Sequence, residues 1–170
     1  MDDSVFHAML WSQFGAAILM LENAILGCPD ELWAARSRAR PFWRLAYHSL
    51  FFLDLYLSDT PSGFAPPPPF TLSELSPGSE TPETPYSKTD LRGYLDHGRR
   101  KCRAAIEALT AEKLLRPCGF RWVGVNVAEL FLYNMRHVQH HAAQLNLILR
   151  EKTDSAPSWV FKAERDTKGA

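Results

Sequence analysis

Apolar residues recur along this chain at steps of three and four, the spacing that gathers side chains on one face of an α-helix. Phe6, Leu10, Phe14, Ala17, Leu21 and Ile25 form the first such row, behind Asp3 or Ser4 as a cap; Gly27 followed by Pro29 closes it. Pro41 suits a first helical position, and Leu45, His48, Phe52 and Leu55 then mark one face of a second helix that stops near Ser58. A third helix is expected from about Asp90 to Leu109, with Leu91, Leu95, Cys102, Ile106 and Leu109 inward. Asn126 with Glu129 three residues on resembles a capping box and opens a fourth helix from Val127 to about Arg150. Its inward row is Leu130, Asn134, His137, His141, Leu145 and Ile148. Just before it, Phe120 to Val125 reads as a short extended piece lying against the bundle as a strand-like loop.

Residues 59–89, between the second and third helices, hold eight of the twelve prolines, including the run Pro66-Pro67-Pro68-Pro69, and form a long irregular connection. Such a connection spans the roughly 27 Å of an 18-residue helix with ease, so the second and third helices can lie parallel. The expected architecture is all-α: a four-helix bundle, up-down-down-up, with a long Pro-rich crossover between helices two and three. Residues 1–170 amount to one domain, ending in a tail over 152–170 where Trp159, Val160 and Phe161 stand among charges.

Charge narrows the function. Lys plus Arg and Asp plus Glu both count 19, so no global field gathers nucleic acid or an anionic membrane, and neither is expected as a partner. Cys28, Cys102 and Cys118 have no close pairing and read as reduced thiols. The first residues lack a basic leader, and the most apolar stretches are broken by Glu22, His48 and Asp54, which points to a soluble cytoplasmic protein.

Chemistry concentrates in Arg136 to Gln144, where His137, His140 and His141 fall within five residues. Side chains four apart share a helix face, so His137 and His141 can aim at one point. Both interrupt an apolar row, as His48 does in the second helix. An imidazole so placed needs a hydrogen-bond partner or a metal. One alone is more often a core histidine tied to a polar neighbour; three on two helices favour one divalent cation, held with an open coordination position. His140 points about 100° from His141 and flanks the site or faces solvent. His7 and His97 read as surface histidines. Leu45 and Asn134, not glutamates, stand three residues before His48 and His137, which disfavours a di-iron centre. Zinc suits three neutral imidazoles, with nickel, cobalt or ferrous iron as alternatives. Such an ion lowers the pKa of bound water to about 7 or holds a substrate thiolate.

Around these, Arg44 lies one turn before His48 and is placed to reach a ligand carboxylate, whereas Arg36, Arg38 and Arg40, and Arg99, Arg100, Lys101 and Arg103, read as solvated faces. Asn134 and Gln144, one turn before His137 and one after His141, are placed to orient metal ligands. Trp11, Tyr47, Trp122 and Tyr133 are pocket candidates, and Asp54 is the candidate general base.

The frame His137-Val-Gln-His-His141-Ala-Ala-Gln144, with a histidine in helix two and a long link after it, resembles the DinB superfamily. That family's last-helix signature is close to His-x-x-x-His-Arg-Gly-Gln; Ala142-Ala143 replaces Arg-Gly here, and Gln144 keeps its place. The resemblance covers about Val5 to Arg150. It implies a metal triad of His48, His137 and His141 without His140, one divalent ion such as zinc or nickel, and a homodimer. It also implies a small-molecule substrate and the chemistry of metal-dependent thiol transferases and isomerases that use low-molecular-weight thiols such as bacillithiol or mycothiol. Together with a metal-bound water or thiolate, the expected activity is that of a thiol transferase or hydrolase. It does not imply DNA binding. Two other classes stay open: a non-catalytic ligand- or partner-binding bundle presenting Thr71-Leu72-Ser73 and Thr84-Pro85 on its link, and a structural, stress-related dimer.

Overall fold

Helix ends in this chain are set by local hydrogen bonding. In the computed structural model, which describes residues 3–35, 40–75 and 84–164, these form six α-helices and no strand. They are α1 (Asp3–Gly27), α2 (Asp30–Trp33), α3 (Phe42–Tyr56), α4 (Lys88–Glu107), α5 (Ala111–Leu115) and α6 (Val127–Thr153). At the start of α6 the Asn126 side chain accepts from the Glu129 N–H at 2.9 Å, and the Glu129 carboxylate accepts from the Asn126 N–H at 3.2 Å. Each satisfies a donor that the first helical turn leaves orphaned. Ser87 and Asp90 make the same reciprocal cap for α4, which is why α4 begins before Asp90.

Each of α1 and α3 packs mainly on α4 and α6 and only slightly on the other. α1 is long and apolar enough to cross a membrane by length and composition alone, yet Phe14, Ile18, Leu21 and Ile25 are fully buried in the core. On α4 the buried row includes Leu91, Leu95, Cys102 and Ile106, as its spacing suggests.

The rows that carry histidines come out differently. On α6 Leu130, Asn134 and Leu145 are buried as expected, but Val138, Ala142 and Leu149, one residue on from His137, His141 and Ile148, are buried as well, and those three are only half-buried. On α3 nearly every side chain is buried, and Leu45, His48 and Phe52, expected to face the core, form its least buried edge. The reason is the proline-rich link, which covers a second side of α3. Phe70 stacks on Tyr94 with ring centroids 4.4 Å apart and on Tyr47 at 5.6 Å, Phe64 packs edge-on against Phe51, and the Tyr47 hydroxyl donates to the Thr71 carbonyl at 2.7 Å. This bond anchors the Thr71 backbone to α3, while Thr71 and Leu72 stay exposed. The histidines are left on a cleft between α3 and α6.

The Phe120 to Val125 segment is a closed loop lying against the helices: Cys118 N–H donates to the Val125 carbonyl, Val127 N–H donates to the Arg116 carbonyl, and Gly124 turns the chain at φ 68°. Phe120 plugs it into the core. Past α6 the tail returns along α1. Ala163 N–H donates to the Ser12 carbonyl at 2.8 Å, and Trp11 Nε1 donates to Glu164 O, while Trp159 and Phe161 stay exposed.

Candidate metal centre

α3 and α6 bring His48, His137 and His141 together, with one nitrogen from each ring within 4.8 Å of the others. Their four-residue spacing stacks His137 over His141, with Nε2 facing Nε2 at 3.1 Å. Two bare nitrogens cannot face each other favourably, so without a cation one of them must carry the proton. The His48 ring lies 5.4 Å from His137 and 4.8 Å from His141, centroid to centroid. Burial, then the neighbouring imidazoles, push His137 down to about 3 and His141 to about 4, with the Gln144 hydrogen bond opposing the fall at His141. Both rings are therefore neutral at physiological pH, the form a metal requires. Three neutral imidazoles converging on one point are a donor set that fits a divalent ion such as zinc.

The far nitrogens are held unequally. His141 Nδ1 lies 2.7 Å from Gln144 Oε1. His137 Nδ1 is buried without a partner among the described residues, its ring near those of Phe52 and Tyr56. His48 Nδ1 meets the Glu74 carboxylate at 2.6 Å. Glu74 sits in a 3-10 turn, Leu72–Leu75, on the link; its side chain is only 3 % exposed. Its Oε1 accepts from Arg44 Nε and Nη2, both at 2.9 Å. Arg40 approaches from outside at 3.5 Å. Burial alone would raise the Glu74 carboxyl, but His48, Arg44 and Arg40 outweigh it and hold the group below its ordinary value. No sequence pattern points to Glu74, because its pairing with His48 depends on the path of an irregular link. Arg44, expected to reach a ligand, is occupied by this carboxylate, and Arg40, expected on a solvated face, lines the site. Arg36 and Arg38 lie outside the described residues.

Other assignments move. Asp54, the candidate base, faces α4: its carboxylate takes Tyr94 Oη at 3.1 Å, His97 Nε2 at 3.3 Å and Lys101 Nζ at 2.5 Å. His97 and Lys101 are thereby partners of a buried acid, not plain surface groups. His7 reaches the Leu109 carbonyl at 3.0 Å. The Asn134 amide donates to the Leu53 carbonyl at 3.0 Å and ties α6 to α3 instead of touching a ring nitrogen of His137. His140 is exposed, its ring 5.1 Å from that of His141. Tyr47 is core, Trp11 meets the tail, and Trp122 is largely exposed, whereas Tyr133 lines a cleft beside His137.

A cleft of about 450 Å³ reaches His48 and His141 between Arg40, Leu45, Gln144, Leu147 and Ile148. A second, of about 480 Å³, reaches His137 past Tyr133, Arg136 and His140. A cavity of similar volume lined by Leu57, Leu109, Cys118 and Val127 touches none of the three histidines, so size does not mark the site; the converging nitrogens do.

An all-helical scaffold with three imidazoles drawn from two of its helices defines the class. The chain belongs to the DinB superfamily, whose sequence profile matches residues 13–145. It is similar in fold to a DinB-like protein of Bacillus subtilis, YjoA, at 19 % identity and a TM-score of 0.63, over 92 % of this chain and 99 % of that one. None of the curated proteins matches the chain. Family membership and the three-histidine cluster together point to a metal site.

Proposed function

We propose that the protein holds one divalent metal ion, zinc or nickel, through His48, His137 and His141, and acts as a thiol transferase or hydrolase on a small molecule. The observation that carries this reading is the convergence of three imidazole nitrogens within 4.8 Å on an open cleft. When bound, the ion would supply Lewis acidity to a water or a thiol. The chain's own residues do the rest. Gln144 fixes His141 through Nδ1, Leu45, Leu147 and Ile148 give the cleft an apolar wall, and Arg40 offers a half-exposed cation to an anionic substrate group.

This reading includes an up-down-down-up bundle of α1, α3, α4 and α6, supported by the packing of α1 and α3 on α4 and α6. It takes residues 1–170 as one domain, working in the cytoplasm as a monomer or homodimer, without nucleic acid or membrane, in keeping with the balanced charge. A non-catalytic binding module is the second reading; it is favoured by the position of Asp54, which leaves neither cleft described above with an acid among the described residues that line it.

Elemental mass spectrometry on protein purified without a metal-affinity step tests the centre. Near-stoichiometric metal is expected in the wild type and its loss in His48→Ala, His137→Ala and His141→Ala. A wild type that takes up neither zinc nor nickel would remove the metal reading. Metal without turnover in a screen of thiols and electrophiles would leave the binding module.

A further inference from the structure

The buried carboxylate behind the histidines is an expensive feature. An ionised acid removed from water needs several donors to offset its lost hydration. Glu74 has them: two from Arg44 on Oε1, and His48 Nδ1 with Arg40 on Oε2. So furnished, the group stays ionised and can only accept. His48 must then carry its proton on Nδ1. Nε2, the other ring nitrogen, is left with a bare lone pair on the side of His137 and His141. Arg40 Nη1 lies 2.9 Å from His48 Nδ1 and 3.5 Å from Glu74 Oε2; a guanidinium only donates, so Arg40 competes with Glu74 for Nδ1, and the shorter 2.6 Å contact to the charged oxygen places the proton on Nδ1.

We propose that Glu74 is the positioning residue of the metal centre: by accepting the His48 Nδ1 proton it fixes the tautomer and ring orientation that offer Nε2 to the cation, so the proline-rich link is a working part of the site. The inference rests on the metal reading above. It separates the three ligands by their support. Among the described residues, His141 has a neutral amide one turn away on its own helix, His137 has no partner on Nδ1, and His48 alone has a charged partner delivered from elsewhere in the chain. A carboxylate behind a ligating imidazole raises its basicity and locks its rotation.

Glu74→Gln is the discriminating substitution, because the two Arg44 donors will hold the amide oxygen in the Oε1 position and turn the amide NH2 toward His48. Nδ1 must then accept, the proton moves to Nε2, and the lone pair needed for the metal is gone. Long-range proton–nitrogen correlation spectra of the metal-free protein should show His48 protonated on Nδ1 in the wild type and on Nε2 in the variant. Chelator competition should show zinc affinity lower by about tenfold to a hundredfold in the variant, the usual loss for such a partner. Far-UV circular dichroism confirms that the variant is folded. If it is not, the wild-type spectrum alone decides, since a His48 Nε2–H tautomer there overturns the proposal. Equal zinc affinity and an unchanged tautomer in the variant would overturn it while leaving the metal centre intact, whereas a wild type that binds neither zinc nor nickel would overturn both.

Discussion

A hydrogen is all that position 15 can carry. A Cβ on Gly15 would lie 2.6 Å from the Ala163 Cβ, and neither group has anywhere to turn, so the tail must lift. Gly15→Ala sets a packing cost of roughly 1–3 kcal/mol against a helical gain of about 0.5–1. The expected result is a melting temperature lower by a few degrees and faster proteolysis after α6. An unchanged digestion pattern would show that the tail is not held there. Single residues also mark how far the sequence can be read. His137 and His141 are legible because their relation is local and helical. Glu74 is not, nor is the role of Asp54, because each depends on what a distant segment lays beside it. The half-burial of His137, His141 and Ile148 on α6 has the same origin: periodicity defines an arc of candidates, and packing against α1 and α3 chooses within it.

Caps make the helices legible as elements. Asn126 and Glu129 announce α6 in the sequence and close its first turn in the structure. Asn126→Ala should cost about 1 kcal/mol, or about 2–4 °C for a domain of this size, with α6 still formed. Thermal and urea melts check this, and a change well below half that size would mean that the Glu129 partner carries the cap alone. α2 and α5 are four and five residues long, too short for a period to show, although Thr110 caps α5 through the Lys113 N–H. The link from α3 to α4 was legible as a connection but not as a packed layer. Its prolines announce irregularity, whereas its anchors, Phe64, Phe70 and Glu74, are single residues without a repeat.

Taken whole, the molecule is cemented by a seam of aromatic rings between α3, the link and α4. Burial raises Tyr47 and Tyr56 to about 12, and pushes Tyr94 up further still, helped by the nearby Asp54 carboxylate. In the unfolded chain these phenols ionise near pH 10. A raised folded value means that the unfolded state releases protons first, so stability is intact below pH 10 and falls as pH rises toward 12. Alkaline titration by near-ultraviolet absorbance and circular dichroism should therefore show Tyr47, Tyr56 and Tyr94 forming phenolate together with loss of structure; ionisation of more than the other two of the five tyrosines at pH 10 in a folded protein would contradict the burial. The fold class and the family were within reach of the sequence, because helical periods and one histidine frame survive without knowledge of the packing.

The three imidazoles come from helices made far apart in time. A nascent chain holds His48 early, gains Glu74 a little later, and completes the set only when α6 has emerged and docked. Any cation shared by α3 and α6 is retained only by finished molecules, and at a hundred times its dissociation constant it would add about 2.7 kcal/mol to them alone. Occupancy of the centre thus becomes a certificate of assembly, one that truncated or half-docked chains cannot present.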